Sequence, residues 1–268
     1  MKVQCGVYGA GWSHAYSTTL WKKSEKLEWV HNQTLPITFY VDAAIRDGVE
    51  AKAERKFFWM VESRDLFPGL VDWVKENSKK VSESCEALLT HSRELVGLEP
   101  NFFYMPPHGY WVENPQIYPK TKNISFLTSN KNWLPGHRVR LEWLNKLKDH
   151  CDVYGRGFNE VEKVEDAIRD YRFHVCIENN DKYFSEKILN AFACGAIPIT
   201  IADREALGLF FDLNGIIFLD DSFDINSLTE ELYLSKMEAI QLNLFAVRSF
   251  AMVEDKIVEM LFGEESLN

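Results

Sequence analysis

The sequence predicts an α/β protein made of two successive Rossmann-like halves, each with a parallel sheet. Two observations lead there. Apolar runs of strand length alternate with helix-length stretches twice along the chain, the pattern of βαβ units whose strands lie between helices. The length of 268 residues also exceeds the usual single domain of about 100–150 residues.

The first alternation places strands at Lys2–Tyr8, Ile37–Val41, Lys56–Val61 and Ala87–Thr90, each an apolar run between polar or Gly/Pro punctuation. A further strand, Phe102–Met105, ends at Pro106-Pro107-His108-Gly109. The polar stretch Glu113–Asn123, with Pro115 and Pro119, reads as an interdomain linker. The expected domains are 1–118 and 119–268. The second alternation begins at Ile124–Thr128 and continues with a helix near Val139–His150, a strand at Cys151–Tyr154, a helix near Val161–Tyr171 and a strand at Phe173–Ile177. The helix Ser185–Cys194, strands at Ile197–Ile201 and Ile216–Leu219, and two C-terminal helices complete it; the last, around Val253–Phe262, is expected to be able to pack back on the first domain.

Composition narrows the function classes. Hydrophobic content of 46% with 26% charged residues is that of a globular protein with a sizeable core. No apolar run reaches about 18 residues, and Met1–Gly6 begins a strand instead of a signal peptide, so a cytoplasmic protein without an integral membrane segment is expected. The five cysteines show neither a disulfide framework nor metal-ligand spacing. A net charge of −10 argues against nucleic acid as a partner, because a phosphate backbone needs a positive surface. A small nucleotide needs only a few local cations.

Candidate chemistry concentrates where a strand runs into a polar loop and then a helix. Phe173–Ile177 is followed by Glu178-Asn179, Tyr183, and then Ser185-Glu186-Lys187 at a helix start. The Lys187 ammonium can meet a phosphate already favoured by the helix dipole and free N–H groups. The Glu186 carboxylate suits paired ribose hydroxyls, with an ordinary first-turn acid as the alternative, and Ser185 is a donor-binding candidate whose alternative is a helix cap. In the loop Thr128–Arg140, Ser129 and Asn130 precede another helix, and Arg138 and Arg140 compete for a phosphate, since a guanidinium fork fits one bidentately. Tyr154-Gly155-Arg156-Gly157 reads as a structural turn. In the first half, the apolar strand Phe57–Val61 ends in Glu62, and burial beside aromatic residues would raise its pKa and make it a better general base. The bland alternative is a glutamate paired with Arg64. Gly9, Gly11 and His14 belong to a Gly-rich turn without dinucleotide spacing, where backbone could approach an acceptor or donor sugar or simply turn. Asp42 either binds a hydroxyl or caps a helix, and His108, His137 and His174 read as satisfied histidines.

Glu178-Asn179 with Tyr183-Phe184-Ser185-Glu186-Lys187, the Ser129-Asn130 loop, Tyr154-Gly155-Arg156 and Trp59-Met60-Val61-Glu62-Ser63 resemble motifs of the family-10 glycosyltransferases, the α-1,3-fucosyltransferase type. The resemblance implies a GT-B fold with two Rossmann-like domains facing a central cleft, the first on the acceptor side and the second holding the nucleotide sugar. It implies inverting transfer of fucose from GDP-fucose to a glycan hydroxyl, with Glu62 as base and the leaving diphosphate held by Lys187 and one of the two arginines. No cofactor or metal is expected, because cationic side chains and a helix terminus can neutralise that group. Two departures lie near the sugar and base pocket: a short loop before Tyr183, and Pro198-Ile199-Thr200-Ile201-Ala202 where the family has Pro-x-Tyr-Trp-Gly. Seven residues separate Glu178 from Glu186, which resembles the paired glutamates of retaining GT-B enzymes and makes them the alternative; a non-catalytic nucleotide-sugar-binding protein is another.

Overall fold

The structure is a computed structural model that describes residues 2–11, 17–19 and 22–263. By its contacts the chain forms two compact units, Met1–Gly109 with Met252–Asn268, and Tyr110–Ala251. The unit boundary precedes the proline-containing stretch, which is bound throughout to the second unit. Trp111 N–H donates to Asn190 Oδ1, Gln116 N–H to the Ala193 carbonyl, and Lys120 Nζ to the carbonyls of Arg169 and Cys194. Residues 113–121 are therefore a packed strap and not a free linker.

The first unit contains β1 (Val3–Tyr8), β2 (Leu27–His31), β3 (Ile37–Val41), α1 (Ile45–Glu50), β4 (Arg55–Met60), α2 (Leu70–Glu76), α3 (Ser78–Ser84), β5 (Ala87–Thr90) and β6 (Phe102–Tyr104). Its strands lie in the order β2-β1-β3-β4-β5-β6, and every neighbouring pair is parallel. Side chains alternate across a strand, so Phe57, Trp59 and Val61 enter the core on one face, and Phe58 and Met60 the core on the other. Burial on both faces is why β4 is a continuous apolar run in the sequence. The strand β2 was not among the expected elements.

The second unit contains β7 (Lys122–Leu127), α4 (Pro135–Leu147), β8 (Asp152–Tyr154), β9 (Tyr171–Cys176), α5 (Glu186–Ala193), β10 (Ile197–Thr200), α6 (Arg204–Gly208), β11 (Ile217–Phe218), α7 (Glu230–Ser235) and α8 (Met237–Val247). Its parallel sheet runs β11-β10-β9-β7-β8. The helix expected near Val161–Tyr171 is only a 3-10 turn, Val164–Ala167. Thr121 and Lys122 N–H both donate to the Asp170 carbonyl, and Tyr171 pairs with Lys122, so strand pairing takes over before a helix can grow.

Among the described residues three helices, not two, follow β11, the last being α9 (Val253–Phe262). Val253, Ile257 and Val258 of α9 fill the core on one face of the first sheet. Its Glu254 carboxylate, wholly buried, accepts the Thr18 N–H at 2.6 Å, and burial raises its pKa. No described helix is long and apolar enough to cross a membrane.

Candidate active site

In each unit the strand order reverses once, between β1 and β3 in the first and between β7 and β9 in the second. Loops leaving the carboxyl ends of strands diverge at such a reversal and leave a crevice for ligands. Most of the candidate residues stand on these loops.

In the second unit a cavity of about 320 Å³ opens at this place. Thr128 and Ser129 line it from the end of β7, Arg140 from α4, and Glu186, Lys187 and Asn190 from α5. Trp111 and Lys131 also face it. Three buried polar atoms on its lining residues, Trp111 Nε1, Thr128 Oγ1 and Arg140 Nε, have no hydrogen-bond partner. Each of these atoms is buried within the wall, where polar groups are otherwise almost always satisfied.

The two arginines are two positions apart on α4, about 200° around a helix of 3.6 residues per turn, and so cannot share a face. Arg140 is the inward one: it is buried, and its Nη2 donates to Asn179 Oδ1 at 2.9 Å. Arg138 is exposed, with its Nε 3.5 Å from the Asn132 carbonyl. Gly136 allows the inward contact, because a Cβ there would lie 2.0 Å from the Asn179 carbonyl oxygen. The Ser129-Asn130 loop rests on the turn after β8, where Thr128 N–H donates to the Tyr154 carbonyl and Asn130 N–H to that of Arg156. Gly155, at a φ of 107°, leaves no room for a side chain against the Thr128 carbonyl, which supports the structural reading of that turn.

Glu178 has no exposed surface. Its carboxylate accepts the Ser185 N–H at 2.8 Å and the Ser185 hydroxyl, and pairs with Lys187 Nζ at 3.1 Å. It therefore acts on the cavity through Ser185, which caps α5, and through Lys187. Lys187 Nζ also meets Ser185 Oγ at 2.9 Å and Glu186 Oε1 at 3.4 Å. Burial works against its charge, but the Glu178 and Glu186 carboxylates outweigh it and hold the ammonium above its ordinary pKa. Tyr183 is buried away from the cavity lining, and burial raises its phenol.

In the first unit Glu62 stands just beyond β4, half-buried. Its Oε1 faces the Gly-rich turn, since a Cβ on Gly11 would lie 3.5 Å away. Gly9 makes that turn with a φ of 78°, and His14 lies outside the described residues. Arg64 pairs with Glu94 at 2.7 Å. Asp42 is almost wholly buried, and its carboxylate accepts the N–H groups of Val61 and Glu62. Burial raises it to about 7, opposed by those two N–H donors and helped by the Glu62 charge. His91 Nε2 bonds to the Glu62 carbonyl at 3.0 Å, and burial lowers its imidazole to about 4.

Sequence reasoning missed Trp111, Thr128 and Asn190. Asn190 did leave a signal, a lone amide within the apolar run Ile188–Ala193. His174, expected to be a satisfied histidine, bonds to Ser125 Oγ at 2.8 Å and also lines the cavity.

Known proteins resemble this chain in family pattern and in fold. The model of the C-terminal part of glycosyltransferase family 10 (fucosyltransferase) matches residues 117–261, more than half of the chain. A crystal structure of an α1,3-fucosyltransferase is similar at a TM-score of 0.56 and 13% identity, covering 97% of this chain and 89% of that one. An α1,3-fucosyltransferase with GDP gives 0.54 at 11% identity over the same shares, and one with GDP-fucose gives 0.51 at 12% over 92% of this chain and 81% of that one. No curated protein matches.

Proposed function

The chain belongs to glycosyltransferase family 10, the fucosyltransferase family, and has a GT-B fold; from that premise we propose that it transfers fucose from GDP-fucose to a glycan hydroxyl with inversion at the anomeric carbon. Glu62 takes the acceptor proton, the acceptor oxygen attacks the anomeric carbon, and GDP leaves toward Arg140 and Lys187 at the start of α5. The observation that carries this reading is the cavity at the β7/β9 reversal, with the cationic side chains of Arg140 and Lys187 on its wall. Inversion is favoured over retention because the Glu178 carboxylate, the first of the paired glutamates, is buried and filled by Ser185 and Lys187, leaving it no free edge for a sugar.

The test is transfer from GDP-fucose to a panel of glycans, with the anomeric configuration of the product read by NMR. Wild type is expected to form the inverted product, and Glu62→Gln to lose about 10²–10⁴ in kcat, the usual share of a general base. The rate is expected to survive EDTA. A retained configuration, or full activity in Glu62→Gln, would overturn the mechanism. Failure of GDP to raise the melting temperature would overturn the donor assignment.

A further inference from the structure

The peptide unit that carries Glu62 lies one step past the end of its strand, where the sheet no longer supplies partners. The last ladder pairs match Trp59 of β4 with Val41 of β3, and Met60 of β4 with Thr90 of β5. The next residue on each flanking strand is Asp42 on one side and His91 on the other. Each turns its side chain back over the end of β4. Asp42 Oδ1 accepts Val61 N–H at 2.8 Å and Glu62 N–H at 3.2 Å, with Oδ2 3.3 Å from the same Glu62 nitrogen. From the other flank His91 Nε2–H donates to the Glu62 carbonyl at 3.0 Å. Side chains thus extend the sheet by one residue on both flanks and grip the N–H and C=O of Glu62 together.

We propose that Asp42 and His91 are positioning residues that clamp the backbone of Glu62 and so fix the direction in which its carboxylate leaves the chain; the proposal rests on Glu62 being the base. Both are almost completely buried, so neither is available to touch a substrate. Asp42 adopts a left-handed backbone, φ 49°, which turns its carboxylate toward β4 instead of along β3. Aspartate and asparagine tolerate that conformation better than other side chains. A base held by two hydrogen-bonded flanks loses little orientation freedom, and misplacement of about 1 Å costs on the order of 10²-fold in rate.

The experiment is a mutant cycle on kcat, read by mass spectrometry of the fucosylated product, with thermal unfolding as the folding control. Asp42→Ala is expected to lower kcat about 10–100-fold with the KM for GDP-fucose unchanged, and Asp42→Asn, which keeps an acceptor oxygen and tolerates the backbone, to recover most of it. In a Glu62→Gln background Asp42→Ala is expected to lower kcat no further, because its effect passes through the missing carboxylate. An equal loss in both backgrounds overturns the clamp and leaves Glu62 as the base. Full activity in Glu62→Gln alone overturns both. Should Asp42→Ala fail to fold, His91→Ala, with His91→Gln as the variant that still donates to the carbonyl, runs the same cycle with the same outcomes.

Discussion

Replacing Glu178 with glutamine tests whether this buried carboxylate is the support of the phosphate site. The side chain has no exposed surface, and Lys187, its partner at 3.1 Å, is one-quarter exposed. At that distance the gross attraction is about 5 kcal/mol at an effective dielectric constant of about 20. Breaking a buried pair by removing one partner costs roughly 3–5 kcal/mol. Glu186 remains 3.4 Å from the ammonium, and glutamine can still accept a bond from Ser185, so the lower figure of about 3 kcal/mol is expected. For a chain of this size that lowers the melting temperature by roughly 6–12 °C. The assay is thermal unfolding with and without GDP. Lys187→Met in the Glu178→Gln background should restore part of the loss, since the stranded ammonium goes with it. GDP should then stabilise neither variant as it does wild type. Unchanged stability in Glu178→Gln, or additive effects of the two substitutions, would refute the coupling.

Two further predictions follow from the same geometry. Arg140→Ala is expected to weaken GDP binding about 10–100-fold, the range of a charge-assisted hydrogen bond, while Arg138→Ala stays near wild type; isothermal titration calorimetry checks both, and equal losses would sink the assignment. Burial lowers His174 to about 3, so the folded state keeps it neutral while the unfolded chain protonates near pH 6.5. The stability from that neutral form is complete above pH 6.5 and is lost as pH falls toward 3. Between pH 7 and 4 the stability gap between wild type and His174→Gln should therefore narrow by about 3 kcal/mol, taken from the 2.5 units between 6.5 and 4, as measured by urea unfolding; a gap independent of pH would contradict it.

Strands buried on both faces were legible because burial leaves an uninterrupted apolar run, as in Phe57–Val61 and Ile197–Ile199. The edge strand β2 was not, since Glu28 faces water inside a five-residue strand and breaks the run. Val164, Ala167, Ile168 and Tyr171 recur at helical spacing, which suggested a helix where the pairing of Tyr171 with Lys122 left room only for one tight turn. The distinction between Arg138 and Arg140 was available in principle, because once α4 is placed the angle between them puts only one against the sheet.

What local spacing cannot carry is sheet register. Ser185, Glu186 and Lys187 are neighbours in sequence and were found together, as was Glu178, nine residues before the lysine. Trp111 reaches the same cavity through Asn190, 79 residues away. Asp42 and His91 reach Glu62 over separations of 20 and 29 residues. Each is meaningful only once β3, β4 and β5 are aligned residue by residue, and a shift of one position would turn either side chain to the opposite face of the sheet. An aspartate following a strand reads as a helix cap, and a histidine in the same place as a satisfied core residue. The alignment of three strands makes the two of them act on one peptide unit, so the local orientation of Glu62 is a property of the whole sheet and not of the segment that contains it.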